Sequence, residues 1–199
     1  MVNTVHVIGN GKTAGYFDND NAKGVRLTCN LPPFAIDNVY ATGVVDFKMC
    51  RAINSREITI PGMWVCGMRP KLYAGDNPAW HMRHAAQIRE FYTALPNYVN
   101  GYTAFNCGHM VTHYGLTKFA PKELHMYGFD SMFDMDMTSC TDFYLQSDRS
   151  DTNNIRLAKD WRGVWPNIFK EFPNTGFTIH GKHDKIKFQL PDNVRTVIG

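Results

Sequence analysis

A turn of small residues follows the first apolar segment of the chain, in the sequence VHVIGNGKTAGYF. Gly9 and Gly11 flank Asn10, and Thr13 follows, so the backbone here can approach a ligand closely. The turn is not a P-loop, because the four residues that separate Gly from Gly-Lys-Thr in that motif are absent. It fits the dinucleotide fingerprint GxGxxG only if Ala14 replaces the third glycine. The pattern therefore indicates either a ligand-binding turn or a tight structural connection.

Two further pairs of residues have spacings that metal sites use. His109 and His113 stand four residues apart, which places both rings on one face of a helix, but HMVTH supplies no third ligand. We expect these histidines to be packed or at the helix surface. Asp134 and Asp136 form a DxD pattern, with which many nucleotide-sugar transferases hold a divalent cation against a diphosphate. We expect a solvated loop at this position, with a divalent cation as the alternative.

Apolar segments alternate with helical patterns, which predicts an α/β fold with a mostly parallel, Rossmann-like sheet flanked by helices. The predicted strands cover residues 4–8, 24–29, 38–42, 58–66, 123–127 and 176–180, and the predicted helices cover residues 46–53, 79–95, 107–119 and 155–172. Ligands of such sheets bind outside the carboxyl ends of the strands. The residues that follow four of these strands therefore meet at one edge of the predicted sheet, at positions 9–11, 29–30, 128–130 and 181–183.

Composition restricts the class of protein. The chain has 199 residues and a formal net charge of +3, with its basic residues spread along the sequence, which disfavours a nucleic-acid-binding arm. The five cysteines form no CxxC pair, so we expect reduced thiols. No apolar segment reaches the roughly 18 residues of a membrane span, and no secretory signal opens the sequence. We expect one cytoplasmic domain over residues 1–199, with an irregular, lid-like loop at about residues 130–151.

Several short motifs, taken in order, resemble the sialyltransferase-like glycosyltransferases, particularly the bacterial family that uses CMP-sialic acid. GNGKT is similar to GNGPS after the first strand of that family, and TCN is similar to RCN after the second strand. NCG opens a predicted helix as TSG does, and PKELHMYGFD is similar to the YKEIYLxGxD that follows. The resemblance extends over about two thirds of the chain.

The resemblance implies a GT-A-like variant of the single-domain fold that binds a nucleotide sugar, most simply a CMP-linked one. The sugar would pass to an acceptor by direct displacement without a metal ion. Tyr144 would place its hydroxyl near the leaving phosphate. The residues implied to hold the nucleotide are Gly9, Asn10, Gly11, Thr13, Asn30, Cys107, Gly108 and Asp130.

One position departs from the family pattern. Arg149 stands where the family has its histidine base, and a guanidinium stays protonated and cannot accept a proton, although it can bind a phosphate. The replacement bases that we consider are Asp148, His180 and His183. The two histidines could instead belong to a solvated basic turn.

This departure leaves three functions open. The first is a glycosyltransferase whose base has moved, and the second is a catalytically altered protein that binds a nucleotide or nucleotide sugar. The third, a transferase acting on modified nucleic-acid bases, is disfavoured because no concentrated basic surface is evident. The short chain also leaves open a homo-oligomer that completes its site.

Overall fold

Eight parallel strands form one sheet in the computed structural model, which describes residues 2–32, 34–133 and 151–199. The strand order is β5-β4-β3-β2-β1-β6-β7-β8, so the chain builds outward from β1 to β5 and then continues on the other side of β1. The order reverses between β1 and β6, where sheets of this kind bind their ligands. The strands are β1 (Thr4–Ile8), β2 (Val25–Cys29), β3 (Val39–Val44), β4 (Trp64–Cys66), β5 (Ile88–Phe91), β6 (Glu123–Tyr127), β7 (Gly176–Gly181) and β8 (Val194–Ile198).

Five α-helices in the described part of the chain flank this sheet, which confirms the predicted α/β, Rossmann-like fold. In chain order they are α1 (Phe47–Asn54), α2 (Met68–Asp76), α3 (Pro78–His84), α4 (Cys107–Phe119) and α5 (Asp151–Glu171). Helices α4 and α5 pack on one face, and α1, α2 and α3 cover the other face over β3 and β4. Among the helices that the structure describes, none is both long and apolar enough to cross a membrane.

Burial on both faces explains the apolar composition of β1. Val5 and Val7 enter the core beneath α4 and α5, whereas Ile8 contacts Phe17 and Tyr127 on the opposite face. All three aliphatic side chains are fully buried. A strand in the middle of a parallel sheet has no solvent-facing side, so its sequence is nearly continuous in apolar residues.

Two predicted elements were wrong in part. The helix predicted over residues 79–95 is α3 followed by the edge strand β5, which pairs with β4. The helical periodicity of this segment is overridden by strand pairing within the fold. The strand predicted over residues 58–66 is only Trp64–Cys66, because Pro61 lacks an N–H donor and Gly62 has a positive φ of 74°.

Helix α2 and strand β8 were not predicted. Pro70 and Gly75 suggest a loop over α2, but Pro70 lies in the first helical turn, where the missing N–H costs no intrahelical bond. Strand β8 lies at the other edge of the sheet and pairs with β7. Its short sequence, VRTVI, carries too little pattern to identify it.

A buried arginine fastens the segment that follows the first turn. Arg26 exposes only 7% of its surface. Its guanidinium donates to the Asn19 and Ala22 carbonyls at 2.8 and 2.9 Å and to the Asp37 carbonyl at 2.8 Å. It also donates to the Asn19 side chain at 3.0 Å. One side chain thus connects the segment between β1 and β2 to the segment before β3.

We expect Arg26→Met to lower the free energy of unfolding by about 2–4 kcal/mol, because it removes four hydrogen bonds made by a buried guanidinium. Urea unfolding measures this change. Arg51→Met, at an exposed position of α1, is the control and should stay within about 0.5 kcal/mol of wild type. Equal effects of the two substitutions would contradict the role given to Arg26.

Candidate functional site

The turns after β1 and β6 bond directly to each other at the point where the strand order reverses. The Gly9 amide donates to the Tyr127 carbonyl at 2.7 Å, and the Gly11 amide donates to the Gly128 carbonyl at 3.0 Å. A Cβ atom at position 9 would lie 2.6 Å from the Gly128 oxygen. The glycines therefore allow two stretches of backbone to touch, and their amides are engaged within the protein.

Thr13 and Asp130 complete this connection. The Thr13 amide and hydroxyl both donate to the Asp130 carboxylate, and the Gly128 amide donates to the Thr13 hydroxyl at 3.2 Å. Gly128 itself has a positive φ of 74°, which suits glycine. The structure thus brings Gly9, Gly11, Thr13 and Asp130 together, four of the predicted nucleotide-binding residues, but their polar groups bond within the two turns.

Asn30, directly after β2, has a different environment. Its φ of 49° is left-handed, a conformation that asparagine adopts more readily than most residues other than glycine. Its amide donates to the Gly43 carbonyl at 2.8 Å, but its side-chain oxygen is buried and has no hydrogen-bond partner among the residues that the structure describes. The residue is 9% exposed. A buried acceptor without a donor costs free energy unless a ligand supplies the donor.

Asn10 lies beside this strand end. Its side-chain amide donates to the carbonyl of Leu31, the residue after Asn30. The two asparagines predicted to hold a nucleotide therefore occupy neighbouring strand ends.

The first turn of α4 lies against the end of β2. The Cys107 thiol donates to the Gly43 carbonyl at 3.3 Å, the same oxygen that accepts from the Asn30 amide. A Cβ at Gly108 would lie 2.7 Å from the Phe129 ring, so only glycine allows α4 to begin so close to the turn after β6. The amides of Cys107 and Gly108 have no intrahelical acceptor, and a helix start of this kind favours anions.

A capping box fixes this helix start. The Asn106 side chain accepts from the His109 amide at 2.9 Å, and the Asn106 amide donates to His109 Nδ1 at 3.2 Å. His109 Nε2 therefore carries the proton and donates to the Trp161 carbonyl at 3.1 Å. Burial lowers the pKa of His109 to about 3, so the ring stays neutral. Burial also raises the pKa of the Cys107 thiol well above its ordinary value, which disfavours a thiolate nucleophile.

The two predicted histidine bases lie away from Asn30. His180 stacks on Tyr127 at 4.2 Å and contacts His125, on the face of the sheet opposite α4. Strand β7 is three strands from β2, or about 14 Å at the usual strand spacing. His183 accepts from the Lys185 amide at 3.2 Å in a turn that exposes Lys182 and Lys185.

Five predicted site residues lie outside the described residues: Asp134, Asp136, Tyr144, Asp148 and Arg149. Most of the predicted lid-like loop lies there as well. Within residues 2–32, 34–133 and 151–199, no group of three or more histidine, cysteine, aspartate or glutamate side chains could hold a metal ion.

A cleft that the sequence did not indicate opens beyond the ends of β3, β4 and β5. It is narrow, with room for little more than one water molecule. Arg69 contacts Asp46 at 3.0 Å, and its guanidinium lies 5.3 Å from the centre of the Tyr102 ring. The cleft is lined by Val45, Gly67, Met68, Arg69, Tyr92, Thr93, Leu95, Tyr102, Phe105 and Met110.

One wall residue of the cleft belongs to a hydrogen-bonded chain. The Tyr92 hydroxyl lies 2.6 Å from His113 Nδ1, and His113 Nε2 lies 3.1 Å from Glu171 Oε2. The Tyr98 hydroxyl also donates to Glu171, at 2.5 Å. Burial lowers the pKa of His113 below its ordinary value, although Glu171 opposes this shift. No sequence motif joins these residues, because they come from three distant segments.

Comparisons of the chain with protein-family models, with curated proteins and with solved structures found no match. The sialyltransferase-like motifs therefore remain a resemblance read from the sequence.

His109 predicts a dependence of stability on pH. Its pKa is about 3 in the folded protein and near 6.5 when unfolded, so between these values only the unfolded chain takes up the proton. The contribution of His109 to the free energy of unfolding is therefore complete above pH 6.5. It decreases as the pH falls toward 3, by up to about 1.4 kcal/mol per pH unit.

Urea unfolding at pH 7.5, 6.0 and 5.0 tests this dependence. We expect His109→Gln to lose less stability across this range than the wild type does. His81→Gln, at an exposed position of α3, should show the wild-type slope of unfolding free energy against pH. A slope unchanged by His109→Gln would contradict the buried, neutral state of His109.

Proposed function

We propose that the chain is a glycosyltransferase that binds a nucleotide sugar, most simply a CMP-linked one, between Asn30 and the first turn of α4. The observation that carries the proposal is the buried Asn30 side-chain oxygen, to which no donor of residues 2–32, 34–133 and 151–199 bonds. The motif resemblance supports the choice of a CMP-linked donor. The identity of the acceptor is open.

The chemistry of this location suits a nucleotide. The amides of Cys107 and Gly108 begin α4 and favour a phosphate, because the helix dipole is positive at this end. The oxygen of Asn30 requires a donor, and both a ribose hydroxyl and the amino group of cytosine are donors. A nucleoside monophosphate carries an anionic phosphate close to neutral hydrogen-bond donors. It can therefore place the phosphate at the helix start and a donor at the Asn30 oxygen.

Transfer would be a direct displacement at the anomeric carbon of the sugar. The acceptor oxygen forms the new bond, and the phosphate of the nucleotide leaves with the electron pair. The helix start stabilises the charge that develops on the leaving phosphate, since its dipole is fixed before the reaction. This scheme needs a base for the acceptor proton.

The alternative is a protein that binds the nucleotide without catalysing transfer. It is favoured by the location of His180, on the opposite face of the sheet from α4, and by Arg149 at the family's histidine position. Detection of CMP release from CMP-sialic acid would distinguish the two functions, because a binding protein leaves the donor intact.

We expect Asn30→Gly to weaken CMP binding by about tenfold or more, because it removes the side-chain acceptor. Glycine tolerates the left-handed backbone, so the variant should remain within about 1 kcal/mol of wild-type stability. Isothermal titration calorimetry measures the affinity, and urea unfolding measures the stability.

Asn54→Ala, at an exposed position of α1, is the matched control and should bind CMP as the wild type does. Unchanged CMP affinity in Asn30→Gly would contradict the assignment of Asn30. Failure of the wild-type protein to bind CMP would contradict the proposed CMP-linked donor.

A further inference from the structure

We propose that the Asp46 carboxylate, at the end of β3, is the catalytic base that takes the proton from the acceptor hydroxyl, with Arg69 as its positioning residue. This inference rests on the proposed function, for which it supplies the missing base. It is carried by the location of Asp46 beside the proposed nucleotide site and by the contact that its side chain makes.

Asp46 follows a strand that neighbours the proposed nucleotide site. Strand β3 ends at Val44 and lies beside β2, which Asn30 follows, so the two strand ends are about 4.8 Å apart, the usual strand spacing. The Gly43 carbonyl accepts from both the Asn30 amide and the Cys107 thiol. The last residues of β3 therefore contact both parts of the proposed site, and Asp46 comes shortly after them.

An electrostatic effect on Cys107 also relates Asp46 to the start of α4. Burial is the largest cause of the raised pKa of the Cys107 thiol, followed by the contact with Cys29, and the negative charge of Asp46 contributes as well. The Asp46 carboxylate is therefore within electrostatic range of the residue that begins the helix. Arg69 offsets the charge of Asp46, which reduces its repulsion of a phosphate at the helix start.

Asp46 stands at the N-cap of α1 but does not cap this helix. An aspartate at an N-cap ordinarily accepts from a backbone amide in the first turn of its helix, and the Asp46 side chain makes no such bond to α1. Its carboxylate instead accepts from Arg69, in the first turn of α2, at 3.0 Å. The side chain is 44% exposed, so an acceptor hydroxyl can reach it from solvent.

Two other titratable groups near the start of α4 are already engaged. The Asp130 carboxylate accepts from the turn after β1. His109 is fully buried and bonds through both ring nitrogens, to Asn106 and to Trp161. Asp46 combines a basic oxygen with access from solvent, and a general base requires both properties.

This arrangement suits a direct displacement. The acceptor oxygen attacks the anomeric carbon at about 3 Å, from the side opposite the leaving phosphate. A base within about 3 Å of that oxygen therefore lies up to about 6 Å from the anomeric carbon, on the side away from the phosphate. Asp46 meets this requirement because it lies near the helix start but belongs to the end of the neighbouring strand.

Atoms and charge balance in the proposed step. The acceptor hydroxyl gives its proton to an oxygen of Asp46, and the acceptor oxygen bonds to the anomeric carbon. The bond between that carbon and the phosphate oxygen breaks, and its electron pair leaves with CMP. Asp46 then releases the proton to solvent. Water takes the place of the acceptor when the donor is hydrolysed.

Hydrolysis of CMP-sialic acid tests the role of Asp46, measured as CMP release above the rate without protein. We expect Asp46→Asn to lower the rate constant by about 100-fold or more, because an amide oxygen is a far weaker base than a carboxylate. Its CMP affinity by calorimetry should not fall. Asp76→Asn, at an exposed position at the end of α2, is the matched control and should keep the wild-type rate.

Rescue by an added carboxylate separates a catalytic base from a structural residue. We expect Asp46→Ala to be as slow as Asp46→Asn and to recover about tenfold or more in sodium formate, which supplies a diffusible base. Formate should not accelerate the wild type. A loss of rate that formate does not restore, together with lower stability in urea, would overturn the assignment of Asp46 as the base.

The role of Arg69 is tested by a conservative substitution. We expect Arg69→Met to lower the hydrolysis rate by about tenfold or more, because the carboxylate is no longer held in place. Arg69→Lys keeps a cation beside Asp46 and should recover part of this loss. Equal rates in Arg69→Met and the wild type would contradict the positioning role.

The outcomes separate the two proposals. No CMP binding by the wild type would overturn the proposed CMP-linked donor, and the catalytic role of Asp46 would fall with it. CMP binding without measurable hydrolysis, or with hydrolysis unaffected by Asp46→Asn, would overturn only the role of Asp46. Loss of rate in Asp46→Asn with retained CMP affinity, together with formate rescue of Asp46→Ala, would support it.

Discussion

The direct contact between the backbone turns after β1 and β6 is the constraint on which the arrangement at the sheet edge depends. It exists because Gly9 and Gly128 have no side chains to separate the two turns. The turn after β6 also carries Phe129, against which Gly108 packs at the start of α4. The position of the helix start, and therefore of its free amides, follows from how closely these turns approach each other.

This contact also determines which polar groups at the sheet edge are already engaged in hydrogen bonds. The amides of Gly9 and Gly11 and the hydroxyl of Thr13 are satisfied within the protein. The Asn30 side-chain oxygen, by contrast, is buried without a partner in the described part of the chain. A buried acceptor without a donor costs free energy, and a ligand that supplies a donor would recover that cost. The glycine motif therefore holds two turns together at the edge of the sheet. The proposed nucleotide site lies at neighbouring positions, Asn30 and the start of α4.

The sequence predicted the parallel sheet because apolar segments alternate with helical patterns along the chain. It failed where a tertiary contact decides the conformation: β5 has a helical pattern and becomes a strand by pairing with β4. The sequence placed candidate site residues at strand ends, and the structure has Asn30 directly after β2. The chain of Tyr92, His113 and Glu171 could not be predicted, because only folding brings these three segments together.

The most direct test of the account is a titration of ¹⁵N-labelled protein with CMP in metal-free buffer, followed by NMR spectroscopy of backbone and side-chain amides. We expect the largest shift changes at the Asn30 side chain and at the amides of Cys107 and Gly108, with smaller changes at Gly9 and Gly11. Largest changes around His180 and His183, or no changes at all, would contradict a nucleotide site at the start of α4.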